Sequence, residues 1–254
     1  MNRYPQHLVA HAGRKVVLAF VATGLVSMPA HAYRPFDGTD ASVAEAGEYE
    51  LEFSPAGYLR HGTGRTLMGP AVVNNFGLPG DVEIALEGRM ERDLGDTAGY
   101  RNRVADTAVV VKHLFRKGEL QGEAGASIAA ECGVFLREVH GDNGGGGACT
   151  GAVSRHAGPA TVHVNGTLSR NRDRSNGRYV GVIVEGRGES MRPVLEMFNE
   201  RDNRGGRTNS ALVGAVWRWR DGLVFDGGIR RAREDGENVT ELRLGLTWTI
   251  SLHD

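Results

Sequence analysis

Residues 239–252 read VTELRLGLTWTISL, and this stretch decides the fold. Leu242, Leu244, Leu246, Trp248, Ile250 and Leu252 alternate with Glu241, Arg243, Gly245, Thr247, Thr249 and Ser251. Successive side chains of a strand point to opposite faces, so the segment predicts a strand with one apolar and one polar face. The same dyad order recurs along the chain. Tyr49, Leu51 and Phe53 interleave with Glu48, Glu50 and Glu52; Val82, Ile84, Leu86 and Met90 interleave with Glu83, Glu87, Arg89 and Glu91. Val162, Val164 and Leu168 interleave with Thr161, His163, Asn165 and Thr167, while Ala211, Val213, Ala215, Trp217 and Trp219 share a face. Carboxylates at every second residue are costly inside a dry sandwich and cheap against a watery lumen. The pattern predicts an all-β fold: an antiparallel up-and-down transmembrane β-barrel, polar inside and apolar outside.

The connectors support it. Residues 78–81, 116–118, 156–159, 188–190 and 220–222 carry the Gly, Pro, Asp and Ser of tight turns. Residues 57–66, 93–103, 138–148, 171–177, 201–207 and 233–238 form a longer, more polar set. Short turns at one end and longer loops at the other are the outer-membrane arrangement. Alternating turns and loops join about 12 strands, and an even count places both termini on the periplasmic side. Tyr49, Phe76, Phe115, Trp219, Phe225 and Trp248 are expected near the periplasmic ends of their strands, with Tyr58, Phe135 and Tyr179 near the outer ends, as aromatic girdles.

The first 32 residues have the three parts of a secretory signal. Arg3, Arg14 and Lys15 form a basic region, Val16 to Met28 an apolar one, and Ala30-His31-Ala32 a small-x-small cleavage site. Residues 1–32 therefore read as a cleaved leader, with the mature barrel starting at Tyr33 and running to 254. Thirteen apolar residues fall short of the roughly 20 that a spanning helix needs. The chain carries net charge −1, and its leader holds three basic and no acidic side chains, so the mature part stands at −4. That balance argues against a nucleic-acid partner. The mean hydropathy of −0.32 looks soluble, but barrels hide from hydropathy because only alternate residues meet lipid.

Residues able to carry chemistry are few. Cys132 and Cys149 lie at equal distances from the centre of the 138–148 loop, on the outward face. They form either a cross-strand disulfide, permitted by an oxidising periplasm, or two lipid-facing thiols. Gly144 to Gly147 lacks the Lys and Ser/Thr of a phosphate-binding loop and reads as a flexible outer loop. His61, His113, His140, His156, His163 and His253 show no short ligand spacing, so no metal or other cofactor is expected. Ser154 and His156 could face one side as nucleophile and base, but no orienting carboxylate is identifiable, and no catalytic residue is assigned. The expected lumen-facing set is Glu83, Glu87, Arg89, Glu123, Glu131, Glu185, Glu196, Asp226, Arg230, Glu241 and Arg243. These charges either pair and fill a narrow lumen or line a selective polar conduit.

The mature N-terminus, Arg34-Pro35-Phe36-Asp37-Gly38-Thr39-Asp40-Ala41 followed by Gly47-Glu48-Tyr49-Glu50-Leu51-Glu52, resembles outer-membrane transporters grouped under the MetA pathway of phenol degradation. Gly80 to Ile84, Asp106 to Phe115, Val162 to Gly166 with Ser169-Arg170-Asn171, and Leu244 to Thr249 extend the likeness over nearly the whole mature chain. The resemblance implies a barrel of this size and brings no catalytic residues. One departure is Leu252, where such barrels usually end on an outward aromatic residue read by the barrel-assembly machinery. The leading expectation is a passive outer-membrane channel for small molecules, with hydrophobic or aromatic solutes suggested by the resemblance alone. The alternatives are a closed structural or adhesive barrel acting through its outer loops, a lipid-modifying barrel enzyme, and a soluble periplasmic β-protein. Lipid, the assembly machinery and small solutes are the expected partners, and the oligomeric state is left open.

Overall fold

The structure is a computed structural model that describes residues 35–95 and 101–252; the leader, Tyr33, the middle of the 93–103 loop and His253 lie outside the described residues. Thirteen antiparallel strands form one sheet: β1 (Glu48–Ser54), β2 (Gly57–His61), β3 (Gly64–Leu78), β4 (Val82–Asp93), β5 (Asn102–Arg116), β6 (Ser127–Phe135), β7 (Gly146–Ala157), β8 (Ala160–Arg170), β9 (Asn176–Gly186), β10 (Met191–Asp202), β11 (Arg207–Arg220), β12 (Leu223–Glu234) and β13 (Glu237–Ser251). β1 and β2 both lie between β3 and β13, so they are two halves of one stave interrupted at Pro55-Ala56. The sheet is therefore a closed barrel of twelve staves, each paired to its sequence neighbour. Closure leaves no backbone edge unpaired, which a chain in hydrocarbon requires.

The dyad pattern sorts the side chains as the sequence implies. Leu86, Met90, Val111, Val164, Leu168, Val180, Met197, Val213, Ile229 and Leu244 are exposed on the outward face. Residues on the alternate positions, such as Glu131, His163, Asn165, Glu185, Glu196 and Glu241, point inward and are buried. The aromatic belt forms at the end where the chain enters and leaves, with Glu48 opposite Ser251. There Trp217 and Trp219 stack at 5.9 Å and Phe225 packs against Trp219 at 5.3 Å. The belt at the other end is thinner than expected. Phe135 and Tyr179 sit on inward positions and are buried in the lumen.

The loops are also shorter than the sequence suggests. β2 and β3 are joined by residues 62–63, and β12 and β13 by Asp235-Gly236. Gly62, Asp235 and Gly236 adopt φ of 55°, 49° and 92°, the left-handed conformation of tight hairpin turns. The polar residues taken as loop are strand residues that extend beyond the apolar band. Conversely, the 116–118 turn is longer than expected. It continues through a single 3-10 turn, Glu119–Gln121, to Ala126, with Gly122 and Gly125 at positive φ. Glu123 lies in this exposed segment and not in the lumen, because the two glycines bend the chain before β6 begins. The glycine run 144–147 is packed rather than loose: a side chain at Gly144 or Gly146 would collide with the carbonyl of Arg172 or Arg170.

Candidate functional site: a segment inside the barrel

Residues 35–46 do not join the wall. They enter from the turn end and rise along the barrel interior, where Pro35 to Ala41 are buried. The stem rests on β3 at Gly77, where any Cβ would strike the carbonyls of Ala44 and Glu45, and Gly47 donates its N–H to Gly77 O at 3.0 Å.

Above the stem, the wall answers the segment's backbone donors one by one. Ala44 N–H donates to Glu83 Oε2 (2.7 Å), Ala41 N–H to Ser154 Oγ (2.9 Å) and Thr39 N–H to Asn165 Oδ1 (2.9 Å). Gly38 and Asp37 donate to the carboxylate of Glu196 at 2.7 and 2.9 Å, and Tyr179 Oη donates to it at 3.2 Å. A buried N–H without a partner costs free energy, so this ladder removes a penalty that a segment lacking strand partners would otherwise carry. The side chains lock it further. Phe36 is fully buried against Ile183, Val194, Leu212 and Val216. Lys112 Nζ donates to Thr39 Oγ1 (2.9 Å) and meets Asp40 at 3.3 Å. Arg243 bridges Pro35 O (2.8 Å), Asp37 Oδ1 (2.8 Å) and Glu241 Oε1 (2.7 Å), while Arg230 holds Glu241 at 2.9 Å.

The sequence-predicted set thus divides. Glu83, Glu196, Arg230, Glu241 and Arg243 converge on the internal segment. Glu131, Glu185 and Asp226 are buried elsewhere in the lumen, Glu185 pairing with Arg192 at 2.9 Å. Glu87 and Arg89 face inward on β4, and Arg89 belongs to a second network near the loop end. There Arg89 meets Glu91 and Asp106 at 2.6 and 2.8 Å, Arg103 meets Glu91 at 2.6 Å, and Glu138 lies between Arg103 and Arg172 at 3.5 and 3.6 Å. Glu138 belongs to the 136–145 loop, so the loop turns a charged residue into the barrel mouth.

Ser154 does not meet His156, whose ring bonds Thr161 Oγ1 at 3.0 Å. Its partner is His163, whose Nδ1 lies 2.8 Å from Ser154 Oγ and whose Nε2 lies 3.7 Å from Glu185. The serine is fully buried and already accepts the Ala41 N–H, so this trio holds the internal segment instead of presenting a nucleophile. Among the described residues no group of three His, Cys, Asp or Glu gathers as a metal site. Cys132 and Cys149 stand in direct register on β6 and β7 with their sulfurs joined at 2.11 Å. Denatured, unreduced protein is accordingly expected to show no labelled thiol. Replacing both by Ser is expected to lower stability by about 3 kcal/mol for a loop of this size, read from the urea midpoint.

No family model and no curated protein matches the sequence. Solved structures do. The COG4313 outer membrane channel from Pseudomonas putida F1 superposes with a TM-score of 0.59 at 11% identity, over 83% of this chain and 98% of that one. The NanC porin gives 0.55 at 9% identity over 79% and 98%. The KdgM porin in complex with disordered oligogalacturonate gives 0.52 at 9% identity over 78% and 98%. At these identities it is the architecture that is held in common: the chain has the closed-barrel fold of outer-membrane channels and porins.

Proposed function

We propose that the protein is an outer-membrane channel for small molecules whose conduit is closed by its own N-terminal segment, residues 35–46. The observation that carries this reading is the ladder of N–H donors seated on Glu83, Ser154, Asn165 and Glu196. The plug is attached by side chains, not woven into the sheet, so it can leave while the wall stays whole. Residues 1–32 are the leader removed on export, the first strand begins and the last strand ends on the periplasmic side, and the barrel-assembly machinery inserts the chain. No enzymatic role is assigned.

With Asp37 and Asp40 of the plug left out, the described residues hold ten buried carboxylates against four buried Arg or Lys side chains. Adding the half-buried Arg89, Arg192 and Arg243 leaves the interior acidic. A conduit lined by one sign of charge concentrates the opposite ion. Once open, the channel therefore favours small cations over anions of equal size, whatever neutral or aromatic solutes also pass.

The test is a reversible tether. Ala41 N and Ser154 Oγ are 2.9 Å apart, so Ala41→Cys with Ser154→Cys, in a Cys132→Ser, Cys149→Ser background, links plug to wall. In a planar bilayer the oxidised protein is expected to stay silent. Reduction is expected to bring discrete openings with a reversal potential on the cation side. A silent reduced protein, correctly folded by its gel migration, would count for a permanently sealed barrel, the reading favoured by the Arg89–Glu91–Arg103–Glu138 network at the loop end.

A further inference from the structure

The outward face of the barrel is as sharply sorted by charge as the lumen. Among the described residues no Asp or Glu occupies an outward-facing strand position. Arginines occupy several at the loop end, above the apolar band. Arg178, Arg201 and Arg207 stand directly opposite one another on β9, β10 and β11. Arg60 stands opposite Arg65 on β2 and β3, and Arg231 on β12 is linked to Arg60 through Thr240 of β13. All six are exposed.

Directly opposed residues have Cβ atoms about 5 Å apart, and like charges in such pairs are destabilising. The folded chain does little to relieve them. Arg60 donates to Gly62 O, Arg201 to Asn199 Oδ1 and Arg231 to Thr240 Oγ1, all neutral oxygens. The carboxylates of the adjoining turns accept backbone N–H groups, Asp202 from Arg204 and Gly206 and Asp235 from Arg207, and among the described residues none forms an ion pair with these six side chains. Guanidinium groups in opposing register, without an ion pair among the described residues and one outward position above Val180 and Ile229, form a row of donors at headgroup depth. Guanidinium binds phosphate through two parallel N–H bonds and suits a planar, bidentate partner.

We propose that this belt binds the phosphate groups of anionic lipid in the leaflet on the loop side. The acyl chains of such a lipid lie on the apolar band while its phosphates bridge the opposed arginines. The inference rests on the barrel's place in a membrane and not on whether its lumen conducts. It also sets the orientation, with the loop end in the anionic leaflet.

The probe is bisphosphorylated lipid A in phosphatidylcholine vesicles holding the mature protein, compared with lipid A stripped of phosphate and with inorganic phosphate alone. The readout is the lipid retained by the purified barrel, together with the temperature at which its gel migration changes. The wild type is expected to retain bisphosphorylated lipid A and to melt higher with it, while neither of the other probes has an effect. Arg178→Gln, Arg201→Gln and Arg207→Gln combined are expected to lower retention roughly a hundredfold, with unchanged gel migration in phosphatidylcholine alone showing that the barrel still folds. Equal retention by the triple variant, or equal protection by phosphate-free lipid, overturns the proposal. Protection by inorganic phosphate alone also overturns it, since that would assign a free-anion site and not a lipid surface.

Discussion

Replacing Phe36 by Ala raises the open fraction of the channel about a hundredfold. Phe36 is the one large apolar side chain that the plug buries, and it sits at 0% exposure among Ile183, Val194, Leu212 and Val216. Truncating a buried Phe to Ala costs about 3 kcal/mol or more, and each 1.4 kcal/mol is about tenfold in an equilibrium. The loss falls on the plugged state alone, because in the open state the side chain is already in water. Open probability in a planar bilayer should therefore rise steeply. Unfolding that starts from the unplugged barrel should keep its midpoint, since no strand residue is altered, whereas release of the plug should come at lower urea. An unchanged silence with unchanged stability would show that Phe36 does not hold the closure.

Arg243→Met has a different signature, lowering closure and barrel stability together. The guanidinium serves Pro35 O and Asp37 on the plug and Glu241 on its own strand. Removing one partner of a buried ionic network leaves uncompensated charge and typically costs about 3–5 kcal/mol. Asp37 escapes the penalty when the plug withdraws to water. Glu241 cannot, because it is fixed on β13 with only Arg230 remaining. The expected result is a channel open most of the time and a lower urea midpoint. Adding Asp37→Asn should restore little stability to the wall, whereas Glu241→Gln in the same background should restore much of it. Recovery by Asp37→Asn instead would place the network's weight on the plug.

Much of the fold is legible in residues 239–252 and their counterparts because a strand's side-chain period is a local property. Each dyad segment announces its two faces without reference to any other. Twelve staves and the inward direction of Glu185, Glu196 and Glu241 follow from counting and parity. The errors arose where parity was insufficient. Glu123 is expected in the lumen, yet Gly122 and Gly125 take positive φ and bend the chain before β6 begins, a turn that side-chain parity does not record. The 57–66 and 233–238 segments were read as loop because they are polar, yet strands continue past the hydrocarbon where polar residues cost nothing.

The sequence by itself determined the barrel, the polarity of its two faces and the opposition of Cys132 to Cys149, all of which depend on spacing along the chain. Only the tertiary structure decided that Pro35 to Ala41 lie inside the barrel, that Ser154 belongs with His163, and that arginines of separate strands stand side by side. Those facts join residues far apart in sequence, 126 apart for Thr39 and Asn165 and 206 for Asp37 and Arg243. Closure of the sheet brings such residues together, and no local period records them.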